Sequence, residues 1–391
     1  MNDEVSVNRL SDDFGTPVDR SGTSSAKWDR YGGRDVIPLW VADMDFRAPQ
    51  AVIEALHERV SHGIFGYTHT PPELVEAVRM HLRNEYGWPV EADWLVWLPG
   101  VMAGVHGACR AVGHNGDEII TFPPVYPPFL KAPDLSQRSL GKVFLRLSEG
   151  KWGLDMDELT RAITPRTRSL LFCSPHNPVG RIWNEEELHA LADLALRHNL
   201  IIISDEIHAG LVLDEKIRHV PIATLSRETA LHTITIQGPS KTFNIPGLEC
   251  AFAVITDPML RRTFQRAMRG IVPSVNLLGY TAAASAYLHG EPWRQKLICY
   301  LRGNRDFVKE EVGKMPGLSM THVEATYLAW IDTRQTGIEL PAHFFERAGV
   351  GLSDGADFGA PGFVRLNFAC PRSILAEALQ RMRTAITDYC T

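Results

Sequence analysis

A lysine set among small and polar residues directly after an alternating apolar run can do amine chemistry. Gly238-Pro239-Ser240-Lys241-Thr242-Phe243-Asn244 after Ile234-Thr235-Ile236 has that form. A buried strand ending in such a loop holds the amine at the rim of a sheet. Two further strand ends lie upstream: Ser169-Leu170-Leu171-Phe172 leads to Asn177, and Ile201-Ile202-Ile203 leads to Asp205-Glu206-Ile207-His208. An amide, a carboxylate and an amine, each just past a buried strand, suit an aldehyde cofactor with a basic ring nitrogen, and they point to pyridoxal phosphate.

Such positions require a sheet whose strands end at one edge. Between about residues 95 and 256, apolar β-rich runs alternate with helical patterns, as βαβ units in a mostly parallel sheet do. Asn184 followed by Glu187 predicts a capped helix start, and Leu188, Leu191, Ala192 and Ala195 give it a buried stripe. Ligands of such sheets bind beyond the carboxyl ends of the strands, where Asn177, Asp205 and Lys241 fall. After about residue 285 the pattern changes to a helix over 300–312, alternating segments at 327–331 and 363–367, and a terminal helix from Ser373, which reads as a separate α+β domain. Leu98-Pro99-Gly100 leads into a helical pattern over 101–112, so Gly100, Val101 and Met102 can cradle a phosphate with free amides at a helix start.

The 391 residues are 45% hydrophobic and 22% charged, enough for sizeable cores, and a net charge of −6 without a basic cluster excludes the footprint of a nucleic-acid binder. No run approaches a membrane span and Met1-Asn2-Asp3-Glu4-Val5 lacks a signal pattern, so a cytoplasmic protein is expected. The six cysteines form no C-x-x-C pair and read as scattered buried thiols. The histidines lack ligand spacing, and no metal site is expected.

The chain resembles the fold-type I pyridoxal-phosphate enzymes, and more narrowly the cystathionine β-lyase-like C–S lyases of the MalY/PatB group. The likeness rests on Trp40-Val41-Ala42-Asp43-Met44-Asp45-Phe46, Phe65-Gly66-Tyr67-Thr68, Pro124-Val125-Tyr126-Pro127-Pro128-Phe129, Asp205-Glu206-Ile207-His208, and Arg365-Leu366-Asn367-Phe368-Ala369-Cys370-Pro371-Arg372. It implies that Lys241 bonds the cofactor's aldehyde and later acts as general base. It also implies that Asp205 faces the ring nitrogen, that Asn177 donates to the phenolate oxygen, and that Tyr126 stacks on the ring. Ser240 would add a hydroxyl to the phosphate site, Arg365 would grip the substrate's α-carboxylate, and Tyr67 would reach the phosphate from a neighbouring subunit of a homodimer.

His208 stands where many aminotransferases carry tyrosine, which favours the lyase branch, although a lone histidine is as often a packed structural residue. Asp43 and Asp45 could pass for an acid pair, yet their segment suggests a wall of the substrate channel. The chain departs from the broader family at Gly238, where Ser or Thr is common, and at Glu249, where Arg is common. A glutamate there would repel a phosphate, so Glu249 is expected to point elsewhere or to pair with a cation.

The expected architecture is an N-terminal segment (1–45) packing with the small domain, a large cofactor-binding domain (46–285) and a small C-terminal domain (286–391). The expected reaction is β-elimination of cystathionine or another S-substituted cysteine to a thiol, pyruvate and ammonia. Alternatives are an aminotransferase, or a decarboxylating or oxidising enzyme acting on a cysteine S-conjugate. A cofactor-binding regulator is disfavoured, because the segment before Trp40 is too short for an added DNA-binding domain.

Overall fold

The computed structural model describes residues 13–390, so the expectation for residues 1–12, the opening Met1 to Val5 included, lies outside the described part. The central sheet has seven strands: β2 (Leu95–Leu98), β3 (Glu118–Thr121), β4 (Ser139–Lys142), β5 (Thr167–Cys173), β6 (Ile201–Asp205), β7 (Thr233–Gln237) and β8 (Ala251–Val254). Their order is β2-β8-β7-β6-β5-β3-β4. β4, β3, β5, β6 and β7 pair in parallel, and β8 alone runs against its two neighbours. Parallel strands covered on both faces read as continuous apolar runs, and β5 is buried throughout except at Arg168.

The crossover helix between β5 and β6, α2 (Glu185–Arg197), begins as its residue types require. Asn184 Oδ1 accepts from the Glu187 amide at 2.8 Å, and Glu187 Oε2 accepts from the Asn184 amide at 2.9 Å. Its buried stripe is Leu188, Leu191, Ala192, Leu194 and Ala195. Helix α1 (Val101–Ala111) lies tight on the sheet, since a Cβ at Gly104 would stand 2.6 Å from Leu98 Cδ1. A larger residue there would push the helix outward, and with it the helix start at Gly100.

The C-terminal part is an antiparallel sheet in the order β9-β10-β13-β12, formed by β9 (Ser319–Met320), β10 (Leu328–Asp332), β13 (Phe363–Asn367) and β12 (Ser353–Asp354). It is flanked by α3 (Glu291–Gly313) and α4 (Arg372–Cys390). α3 is longer than the expected 300–312, because its first turns carry Trp293 and Leu297 into the same core as Leu301 and Val308. The N-terminal segment joins this core. β1 (Ile37–Pro38) pairs in parallel with β11 (Val350–Gly351), and the Phe14 ring meets Trp293 edge-on at 5.5 Å.

Cys109, Cys173, Cys250 and Cys370 are buried free thiols, whereas Cys299 on α3 is exposed, contrary to the reading of scattered buried thiols. Among the described residues no helix is long and apolar enough to cross a membrane, and no three His, Cys, Asp or Glu side chains gather as a metal site.

Candidate active site

Beyond the carboxyl ends of β5, β6 and β7 lies a cavity of about 700 Å³. Every sequence-derived site residue lines it except Tyr67. Lys241 stands four residues past β7, in a turn held to the N-terminal segment by Asn244. Asn244 Nδ2 donates to the carbonyls of Met44 at 2.9 Å and Phe46 at 2.7 Å, and its Oδ1 accepts from the Met44 amide at 2.9 Å. The Lys241 amine donates to the Ala42 carbonyl at 2.7 Å. Burial pushes its pKa down to about 8, with Asp43 opposing and Arg365 reinforcing the shift. Desolvation is therefore the largest cause of the shift, ahead of the neighbouring charges.

Asp205 is the last residue of β6 rather than part of the loop beyond it. Its carboxylate is buried and accepts from the Ile207 amide at 3.1 Å, and burial raises its pKa to about 7. A carboxylate so placed gains most from a cation brought by a ligand. His208, one turn on, is buried with its ring edge-on to Tyr327 at 5.9 Å; burial drops its pKa to about 3, so the imidazole is neutral. The half-buried Tyr126 opens a short turn and meets Phe129 edge-on at 6.2 Å.

Arg365 lies in β13 and reaches the same cavity from the other sheet. Nη1 donates to Asn177 Oδ1 at 3.0 Å, while Nη2 donates to the Trp40 carbonyl at 2.8 Å and Ser353 Oγ at 3.3 Å. Phe358 lies beneath the guanidinium at 4.8 Å. Among the described residues Arg365 forms no ion pair, and its buried Nε has no partner. Burial pulls its pKa down to about 10. A buried guanidinium without an anion is costly, and a carboxylate-bearing ligand removes that cost.

Gly100 precedes α1 with φ +100°, and no atom lies within 4 Å of the place a Cβ would take. No side chain caps α1, so its first amides open on the cavity beside Ser240.

Two expectations are corrected. Asp43 and Asp45 do not wall the channel; Trp40, Val41 and Ala42 do. The two aspartates turn away to pair with Arg20 at 2.8 and 2.7 Å, and Asp45 binds the fully buried Lys27 at 2.8 Å. Glu249 neither points elsewhere nor finds a cation among the described residues: it is exposed and lines the cavity. Tyr67, expected to reach a neighbouring subunit's phosphate, is fully exposed in a segment without regular secondary structure and lies outside this chain's own cavity.

Residues 34–382 match the family model for aminotransferase class I and II. The chain belongs to that family. Cystathionine beta-lyase PatB of Bacillus subtilis is 36% identical over 386 residues, covering 96% of this chain and 100% of the relative. Among solved structures, that of OvoB is 44% identical with a TM-score of 0.94, covering 96% of this chain and 99% of the other. Cystalysin from Treponema denticola, which contains a pyridoxal 5′-phosphate cofactor, is 32% identical with a TM-score of 0.93 over 96% of this chain and 99% of its own.

The cavity of this family member fits the same group on its own observations. Asp205 is a buried carboxylate suited to a cationic ring nitrogen, the open space at Gly100 admits an anion against helix amides, and Asn177 Nδ2 has no protein partner among the described residues. The supports that sequence reasoning missed are the Ala42 and Trp40 carbonyls, Asn244, Ser353 and Phe358. The Trp40 to Phe46 segment was the signal for the two carbonyls, but a carbonyl acceptor has no residue signature.

Proposed function

We propose that this chain is a pyridoxal-phosphate-dependent C–S lyase. It would eliminate the sulfur substituent of cystathionine or another S-substituted cysteine, releasing a thiol, with pyruvate and ammonia following. The observation that carries the reading is the meeting, in one cavity, of a lysine with pKa near 8, a buried aspartate and an arginine without an anionic partner. The similarity to a cystathionine beta-lyase along nearly the whole chain supports the lyase branch.

When bound, the cofactor supplies an electron sink for negative charge at the substrate's Cα. The residues around it bind, orient and move protons. Asp205, ionised, would keep the ring nitrogen protonated. Asn177 Nδ2 would donate to the phenolate oxygen while its Oδ1 stays on Arg365, and Tyr126 would cover one ring face. The amides of Gly100, Val101 and Met102 and the Ser240 hydroxyl would hold the phosphate. Arg365 would take the α-carboxylate, which fixes the Cα–H bond relative to Lys241. The Lys241 amine, neutral in about a tenth of molecules at neutral pH, would take the Cα proton.

We also infer a cytoplasmic homodimer, in which Tyr67 reaches the phosphate end of a second copy; the exposure of Ile64, Phe65 and Tyr67 supports this. Of the expected division at about residues 45 and 285, the packing of the N-terminal segment with the small domain is supported by the contacts of Phe14 and β1 with the C-terminal elements. The family's wider membership favours one alternative, transamination. A panel of S-substituted cysteines assayed for thiol, pyruvate and pyridoxamine phosphate tests the choice: pyridoxamine phosphate accumulating without thiol would replace elimination by transamination.

A further inference from the structure

Glu249 stands where an anion is least expected. β8 pairs with β2 in the antiparallel register Ala251↔Leu98. Glu249 stands two residues before Ala251 and Gly100 two residues after Leu98, at the amide end of α1, and both residues line the cavity. Glu249 holds the left-handed conformation, φ 51° and ψ 59°, which costs a residue with a Cβ, and it has no ion pair among the described residues.

The cations lining the cavity are engaged elsewhere. Lys241 donates to Ala42, Arg365 lies between Asn177 and Trp40, and Arg30 sits over the Trp40 ring at 4.5 Å. Glu249 therefore shares the cavity with the amide end of α1, and no cationic side chain among the cavity-lining residues is left to offset its carboxylate.

We propose that Glu249 is an electrostatic brake on the cofactor's phosphate: it weakens the hold of the α1 amides and Ser240 on that dianion, so that the cofactor exchanges with solution. This rests on the assignment of the α1 start as the phosphate end and is independent of which bond the enzyme breaks. Like charges in a partly dry cleft repel across several ångströms, and the effect acts only on a ligand that carries the phosphate.

The test is equilibrium titration of the cofactor-free protein with pyridoxal phosphate and, separately, with pyridoxal. Glu249→Gln keeps size and backbone preference while removing the charge. It should bind pyridoxal phosphate about tenfold tighter and pyridoxal unchanged, and Glu249→Lys should gain more. Ser240→Ala should weaken pyridoxal phosphate and leave pyridoxal alone. If Ser240→Ala shows no phosphate-dependent loss, the cradle assignment fails and the proposal falls with it. If Ser240→Ala behaves as expected but Glu249→Gln binds pyridoxal phosphate equally or more weakly, or gains equally for pyridoxal, the brake itself is overturned.

Discussion

Arg365 Nη1 donates to Asn177 Oδ1 at 3.0 Å across the space between the two sheets. The bond settles which end of the Asn177 amide faces the cavity, since an acceptor spent on arginine leaves the Nδ2 donor turned to a ligand. It also couples the residue proposed for the substrate carboxylate to one proposed for the cofactor.

Arg365→Ala should raise KM far more than it loosens the cofactor, because the guanidinium is proposed to meet the substrate. Loss of a charge-assisted contact costs about 2–3 kcal/mol, roughly a hundredfold in kcat/KM. The coupling to Asn177 adds a small shift in the bound cofactor's absorbance. Steady-state kinetics with a cofactor titration checks both, and equal losses of cofactor and activity would make Arg365 structural.

The lowered pKa of Lys241 sets a pH profile for cofactor uptake. The neutral amine attacks the aldehyde, so the uptake rate should climb about tenfold per pH unit and level off near pH 8. Stopped-flow absorbance of the cofactor-free protein measures this. A rate still climbing at the same slope toward pH 10 would show an ordinary, solvated lysine.

Asp205 makes an opposite statement about stability. Its folded pKa is raised from 3.8 to about 7, so the folded cofactor-free protein binds a proton that the unfolded chain releases. This contribution is fully present below about pH 4 and is lost as pH rises through about 7. Asp205→Asn should flatten that decline in a series of thermal melts, and bound cofactor should flatten it too by supplying a cation. Identical slopes for the parent and variant proteins would contradict a buried, unpaired carboxylate.

Much of this site was legible because the residue type itself carries the chemistry. A lysine, an aspartate and an asparagine, each after a buried run, could be read from β periodicity, and the Asn184–Glu187 cap from spacing alone. The misreadings have one physical cause. Which way Asp43 and Asp45 face depends on Arg20 and Lys27, about twenty residues earlier in the chain, and the place of Glu249 depends on the left-handed turn that leads into β8. No local pattern encodes a distant partner. The Ala42 carbonyl under Lys241 is hidden for a second reason, since every residue has one.

Tyr67 offers a test of the dimer. If it serves the partner's site, mixing Lys241→Ala with Tyr67→Ala protein should rebuild one intact site in each mixed dimer and recover about a quarter of parental activity. Subunit exchange followed by an activity assay reads this, and no recovery would confine Tyr67 to its own subunit or to no site.

The most direct measurement quantifies thiol and pyruvate from cystathionine with cofactor-saturated enzyme and no added 2-oxo acid. The account expects the two products in a one-to-one ratio over many turnovers, and neither from Lys241→Ala above the uncatalysed rate. Release of carbon dioxide or peroxide with the C–S bond intact, or turnover that stops until a 2-oxo acid is added, would contradict it.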